Sequence, residues 1–348
     1  MTLSSHNTQT SLPVPILRRA WLQRGLEVTV SLAFLALALR GLQWQGLWEA
    51  LRGANYLWLF PGIAILIVLL FVKTWRWQLL FRPEQRVSFV SAFTALSAGY
   101  LASNVLPARL GEAVRLVLLI SDQPVSAART LSTIVVERLL DVLSLLIVLV
   151  ALLPFVRLPA WMTYSAQALG VAALAIALGM VVLSYWKERL LGWARRLSGR
   201  AAFLDRPVLY DALGHLVDGF AALRTRWGLL LMGLSLAGWV GVTGVAWSAG
   251  QAFGLALPLT AAAFAVVVTT LGMLLPSSPG YIGVFHGLVI VALAPFSVPR
   301  EMAFSYALVW HGVNYVTLSA SGAVALWVHG TSLGQVLHNW RQRHAGKG

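Results

Sequence analysis

Apolar runs of about the 20 residues that a helix needs to cross a hydrocarbon core recur along the whole chain. Two of them are broken in mid-course by motifs of one shape. The clean runs fall near 26–42, 57–75, 131–153, 163–185, 228–250 and 304–327. The broken ones span 88–122 and 258–297, and the breaks read Leu106-Pro107-Ala108-Arg109-Leu110-Gly111 and Leu275-Pro276-Ser277-Ser278-Pro279-Gly280. With 58% apolar residues and a mean hydropathy of +0.76 over 348 positions, no soluble domain is expected. The pattern predicts an all-α, polytopic bundle of about six full spans with two broken-helix hairpins.

The formal charge of +14 would suggest nucleic acid in a soluble protein. Here the basic residues sit in short segments beside spans, where they orient the chain and meet anionic head groups, so no nucleic-acid partner is expected. The first twenty residues are polar, with two prolines, and the run after them has no small-residue cleavage site, so it reads as a retained span. There is no cysteine, which excludes disulfides and thiol chemistry.

Arg18, Arg19 and Arg24 precede the first run, while Lys73, Arg76, Arg82 and Arg86 are read as following the second. The 187–226 connection holds eight Lys or Arg against four acids, and the 331–348 tail carries Arg341, Arg343 and Lys347. All four segments are expected on the cytoplasmic side. The 154–162 connection has only Arg157, and no charged residue occurs from Trp227 to Pro299. With these ends fixed, segment 88–122 must enter from the cytoplasm and return, and segment 258–297 must enter from outside and return. Span, hairpin, span over about 57–153 is then echoed upside down over about 228–327, offset by roughly 170 residues, which is the pattern of an inverted-topology repeat.

A proline removes a backbone donor and a glycine loosens the helix, so each break leaves peptide groups unpaired at membrane depth. Only protein or a water-filled cavity tolerates that, and two opposed tips imply a polar cavity between the halves. The first tip, with Asn104, Pro107 and Gly111, carries charge: Arg109, Glu112 and Arg115, followed by Glu137, Arg138 and Asp141 inside an apolar run. An ionised side chain at mid-bilayer costs roughly 2.5–3.5 kcal/mol, so these residues are expected to face inward. Glu137 and Asp141 share a helix face, and Arg138 meets Asp141 at i,i+3. They can lock the hairpin to the 131–153 span, or the arginines can hold a phosphate head group, a task for which the guanidinium fork is suited. The second tip, with Pro276, Ser277, Ser278, Gly280 and Tyr281, has no fixed charge. His286, His311 and Asn314 follow it, and the two histidines are the only groups on that half that titrate near neutral pH.

Tryptophans near run ends, among them Trp44, Trp58, Trp75, Trp161, Trp186 and Trp227, read as an interfacial belt. The 187–226 connection alternates apolar and basic residues and suits amphipathic helices on the inner leaflet, or a platform for a partner.

At these residues the chain resembles the membrane region of bacterial lysylphosphatidylglycerol synthases, a flippase-like family also found as stand-alone proteins. Asn104–Arg115 is similar to the first family signature, Val136–Asp141 to the second and Leu275–Gly283 to the third. His286 stands where members often carry a glutamate, and His311 where an arginine is common. The resemblance implies movement of a polar-headed lipid between leaflets of a bacterial plasma membrane, and the basic segments place both chain ends on the cytoplasmic side. The ligand would be an anionic phospholipid or a polyprenyl-phosphate lipid. About twenty residues follow the last span, so the synthase's aminoacyl-transferase domain, and lysyl-lipid synthesis, are not expected here. No nucleotide-binding glycine loop and no metal-ligand spacing appear, so neither cofactor nor metal is anticipated. The other readings are an intramembrane enzyme using Glu112, Glu137 or Asp141 as base, and a scaffold for a lipid-modifying enzyme.

Overall fold

A computed structural model describes residues 14–81, 85–106, 110–156, 160–186, 226–273 and 277–336, with a few isolated positions between 187 and 225. Its regular elements are all helical. In chain order they are α1 (Val14–Leu39), α2 (Trp44–Gly53), α3 (Leu59–Phe81), α4 (Phe89–Val105), α5 (Gly111–Asp122), α6 (Ala127–Leu152), α7 (Ala160–Tyr185), α8 (Arg226–Ala252), α9 (Leu259–Gly272), α10 (Val284–Leu293) and α11 (Arg300–Val328), with short 3₁₀ turns at Tyr56–Trp58, Pro279–Tyr281 and Ala294–Phe296.

Among the described residues, Tyr56–Phe81 and Trp227–Ala252 are long and apolar enough to cross a membrane, and shorter apolar helices include Phe89–Val105, Leu259–Gly272 and Val284–Phe296. Element boundaries follow local chemistry. The Asn55 side chain accepts from the Leu57 N–H at 3.2 Å to open the turn before α3, and Ser126 caps α6 by accepting from the Arg129 N–H at 3.1 Å. Inside the apolar helices, hydroxyls bond back to their own backbone, as Thr74 does to the Leu70 carbonyl at 2.7 Å and Ser144 to Leu140 at 2.6 Å.

Both broken runs fold into helical hairpins, α4 against α5 and α9 against α10. The first closes through glycine: a Cβ on Gly111 would lie 2.2 Å from the Gly99 carbonyl oxygen and 1.9 Å from Ser103 Oγ. The packing partners fall into matched pairs. α3 packs on α8; α3 on α4 and α8 on α9; α5 on α6 and α10 on α11; α3 on α6 and α8 on α11. Across the molecule, α4 packs on α11 as α9 does on α6, and α3 on α11 as α8 does on α6. One apolar core, including Leu145, Phe264, Phe285, Tyr306 and Trp310, surrounds the second hairpin, and another, with Trp77, Phe81, Leu119 and Leu140, surrounds the first.

Three departures from the sequence reading have clear causes. α3 runs on to Phe81, so Lys73 and Arg76 are helix residues and not loop charges; Arg76 is 2% exposed. α1 begins at Val14, inside the segment taken as a polar N-terminus. α2 is an additional amphipathic helix whose Leu47 is buried while Trp44 and Trp48 are exposed. Trp58, Trp75, Trp186 and Trp227 are also exposed, as a belt requires, whereas Trp77 and Trp310 are interior. The amphipathic 187–226 reading, Trp161's side chain and the tail from 337 lie outside the described residues.

Candidate functional site

Six charged side chains from three helices join in one network beside the first hairpin. Arg76 of α3 donates from Nη2 to Glu137 Oε1 at 3.1 Å and from Nη1 to Asp141 Oδ1 at 2.5 Å. Its Nη1 also reaches Ser235 Oγ of α8 at 2.6 Å. Arg115 of α5 donates to the other Glu137 oxygen, pairs with Glu112 at 3.6 Å and lies 3.6 Å over the Trp77 ring. Trp77 is held in turn by its Nε1 donating to Thr133 Oγ1 at 3.1 Å. Arg138 closes the network, with Glu112 at 2.7 Å and Asp141 at 3.3 Å.

Burial divides this network in two. Arg115 and Glu137 are each 1% exposed, and their charges are spent on each other and on Arg76 and Glu112. They tie α3, α5 and α6 together; Arg115 is stacked on Trp77 and ion-paired, while its Nε and Nη1 are buried without a hydrogen-bond partner. The Arg138 and Glu112 side chains are 46% and 42% exposed, and Asp141 is 17% exposed.

Of these, Arg138 and Asp141 edge a cavity of about 170 Å³ between α3, α6, α8 and the end of α9. Its polar wall is Lys73, Arg76, Arg138, Asp141 and Ser235, and its apolar wall includes Leu145, Trp239, Val242 and Leu271. Lys73 donates to the Tyr100 hydroxyl at 3.1 Å, with the Tyr100 ring centroid 5.5 Å from its Nζ. Trp239 is fixed by its Nε1 donating to Ser144 Oγ at 2.9 Å. Lys73, Arg76, Ser235 and Trp239 were not singled out for the site from the sequence. The available signal was the i,i+3 spacing of Lys73 and Arg76 at the end of an apolar run.

The tips of the two hairpins meet. Asn104, at the end of α4, donates to Ser319 Oγ at 2.9 Å and to the Tyr315 carbonyl at 3.3 Å, both on α11. Gly280 turns the second tip at φ +68, and a Cβ there would lie 3.0 Å from the Tyr315 ring and 3.5 Å from the Asn104 carbonyl oxygen. That conformation is open to glycine and costly for other residues. Tyr281 adopts a positive φ of 58° beside it, and the Ser278 N–H donates to Ser31 Oγ of α1 at 2.7 Å. The Ser277 hydroxyl is buried without a hydrogen-bond partner.

His286 accepts from the Gly283 N–H at 3.4 Å, and its ring lies 5.1 Å from that of His311. Phe285 and Phe304 complete an aromatic wall, 4.8 Å from His311 and 5.5 Å from His286 respectively. Asn314 bonds back to the Trp310 carbonyl at 2.9 Å and is spent locally. The structure therefore brings Glu112, Arg115, Glu137, Arg138 and Asp141 into one cluster, and Ser278, Gly280, Tyr281, His286 and His311 into a second, with Asn104 where the tips join. Pro107, Arg109 and Pro276 lie outside the described residues. Among the described residues, no three acids or histidines are grouped so as to hold a metal ion.

A chain whose described elements are all helical, with long apolar helices and an ionic network buried beside one broken-helix hairpin, is a membrane protein. It belongs to the family described as the lysylphosphatidylglycerol synthase TM region, which matches residues 25–322. No curated protein and no solved structure matches the chain.

Proposed function

We propose that this protein moves a phosphate-bearing lipid between the leaflets of a bacterial plasma membrane, as a flippase or scramblase and not as an enzyme. The observation that carries the reading is the two-faced cavity, whose charged wall holds Lys73, Arg76 and Arg138 against the single acid Asp141 and whose apolar wall includes Leu145, Val242 and Leu271. At roughly 30 Å³ per water, 170 Å³ is room for about six waters, which suits a phosphate head with a small substituent while the tails stay in lipid. The family's description ties it to a lipid-modifying enzyme, which agrees with a lipid ligand.

The matched packing of α3–α6 and α8–α11 supports an inverted-topology repeat. With the charge-derived orientation it yields six full spans, two hairpins entering from opposite sides, and both chain ends in the cytoplasm. Rocking of one half on the other, about the α3–α8 contact and the meeting tips, would expose the cavity alternately. The enzyme reading is less favoured because Glu112, Glu137 and Asp141 are each ion-paired with arginine, which leaves none of these three free as a base. A lipid-modifying enzyme as partner is a separate proposal, resting on the basic 187–226 connection.

The test is lipid exchange in proteoliposomes carrying fluorescent phospholipids, followed by quenching of the outer leaflet. Wild type accelerates exchange and Arg138→Ala slows it. A folded wild type that leaves every phospholipid and polyprenyl-phosphate lipid in its original leaflet defeats the reading.

A further inference from the structure

Lys73, Arg76, Arg138 and Asp141 are the charged residues of the cavity wall, and all but Lys73 belong to the ionic network that continues behind it. Arg76, Arg115 and Arg138 are matched by Glu112, Glu137 and Asp141, every member within ion-pair distance of at least one of opposite sign. The network is thus neutral as built. Lys73 stands apart from it. It lies one helical turn before Arg76 on the same helix and lines the same cavity, and its ammonium has a neutral phenol, Tyr100, as partner. No described carboxylate lies within ion-pair distance of it. An ammonium carries three donors, and one of these is used on Tyr100.

We propose that Lys73 is the specificity-determining residue of this cavity: it supplies one uncompensated positive charge and so selects a head group bearing one negative charge, a phosphodiester monoanion. A half-buried lysine against an apolar wall is stabilised by a single anionic oxygen pair. A phosphomonoester, which carries close to two charges above its second pKa of about 6, leaves one of them uncompensated in a water-poor cavity. A net-neutral zwitterion brings a cationic end toward a wall whose one uncompensated charge among the described residues is Lys73. Tyr100 serves as a neutral holding partner, since it orients the ammonium from α4 without cancelling its charge. The proposal rests on the head-group reading of the cavity and does not depend on movement of the lipid between leaflets.

The experiment is equilibrium binding of water-soluble dihexanoyl lipids to the purified full-length protein in a neutral detergent at pH 8. The probes are phosphatidylglycerol with one negative charge, phosphatidic acid with nearly two, and phosphatidylcholine with none. Phosphatidylglycerol is expected to bind at least about tenfold more tightly than either of the others. Lys73→Met abolishes that preference and Lys73→Arg keeps it, with thermal unfolding run alongside to show that both fold. The wild-type preference stands as a test on its own if Lys73→Met does not fold. Phosphatidic acid binding as tightly as phosphatidylglycerol, or a folded Lys73→Met that keeps the wild-type preference, overturns the proposal. Absence of binding by all three probes overturns it together with the head-group reading. Charge-selective binding without leaflet exchange in proteoliposomes upholds it and removes the transport reading alone.

Discussion

The two hairpins have the same shape and opposite chemistry. The first is tied to its neighbours by ions: Arg115 on α5 reaches Glu137 on α6, and Glu137 reaches Arg76 on α3. The second has no ion pair among its described residues. It is held by aromatic packing around His286 and His311, by backbone contact between Gly283 and α1, and by the Ser278 bond to Ser31. The broken run and the glycine approach therefore suffice to make a hairpin, since both halves have them. The ionic network is an addition to one half. Its buried part acts as a lock, while its open part offers charge to the cavity.

The sharpest way to break this comparison is Glu137→Gln, which leaves Arg76 and Arg115 buried beside a neutral amide. Loss of one partner from a buried pair costs about 3–5 kcal/mol, so thermal unfolding in detergent should fall steeply. His286→Gln in the second hairpin replaces a neutral hydrogen-bonding ring and should cost far less; equal losses would erase the distinction drawn here. Next come Gly111→Ala and Gly283→Ala, where the new Cβ would lie 2.2 Å from the Gly99 oxygen and 2.3 Å from the Ser31 oxygen. Overpacking of this kind costs about 1–3 kcal/mol, and Gly283→Ala should lose more than Gly111→Ala because Gly283 also sits at φ +89, a conformation costly for alanine. Ser31→Ala strands the Ser278 N–H and should cost about 1 kcal/mol, with faster amide exchange at the second tip and none at the first. Arg138→Ala should move stability by less than about 1 kcal/mol, because the side chain is half exposed, yet it should slow lipid exchange at least tenfold. A variant that keeps full exchange would separate Arg138 from the cavity's function.

Much of this architecture was legible in the sequence because it is local. The proline and glycine breaks, the i,i+3 pairs Glu112–Arg115 and Arg138–Asp141, and the apolar runs all express themselves within a few residues. Lys73 and Arg76 were misread for the opposite reason. A hydropathy window ends where charge appears, and the acids that make Arg76 tolerable inside a helix come 61 and 65 residues later. The role of Ser31 left no local trace either, since its partner Ser278 is 247 residues away. The helix α2 escaped notice because it is short and only one of its sides is apolar, so it does not stand out as a membrane run. His286 and His311 were recognisable as candidates, but their contact depends on the packing of α10 on α11.

The separation of Arg76 from its acids also bears on how the chain is made. α3 is synthesised with an arginine near its end, and neither Glu137 nor Asp141 exists until α6 follows. An unpaired arginine costs roughly 2.5–3.5 kcal/mol at the centre of a membrane helix on insertion scales, and less near a helix end, where Arg76 lies and where the side chain can reach the interface. Arrival of α6 therefore favours deeper seating of α3 and couples the insertion of the two helices. Glu137→Gln would then fail twice, in the finished fold and earlier, as a biogenesis defect in which α3 remains shallow, detectable by accessibility labelling of its end during translation.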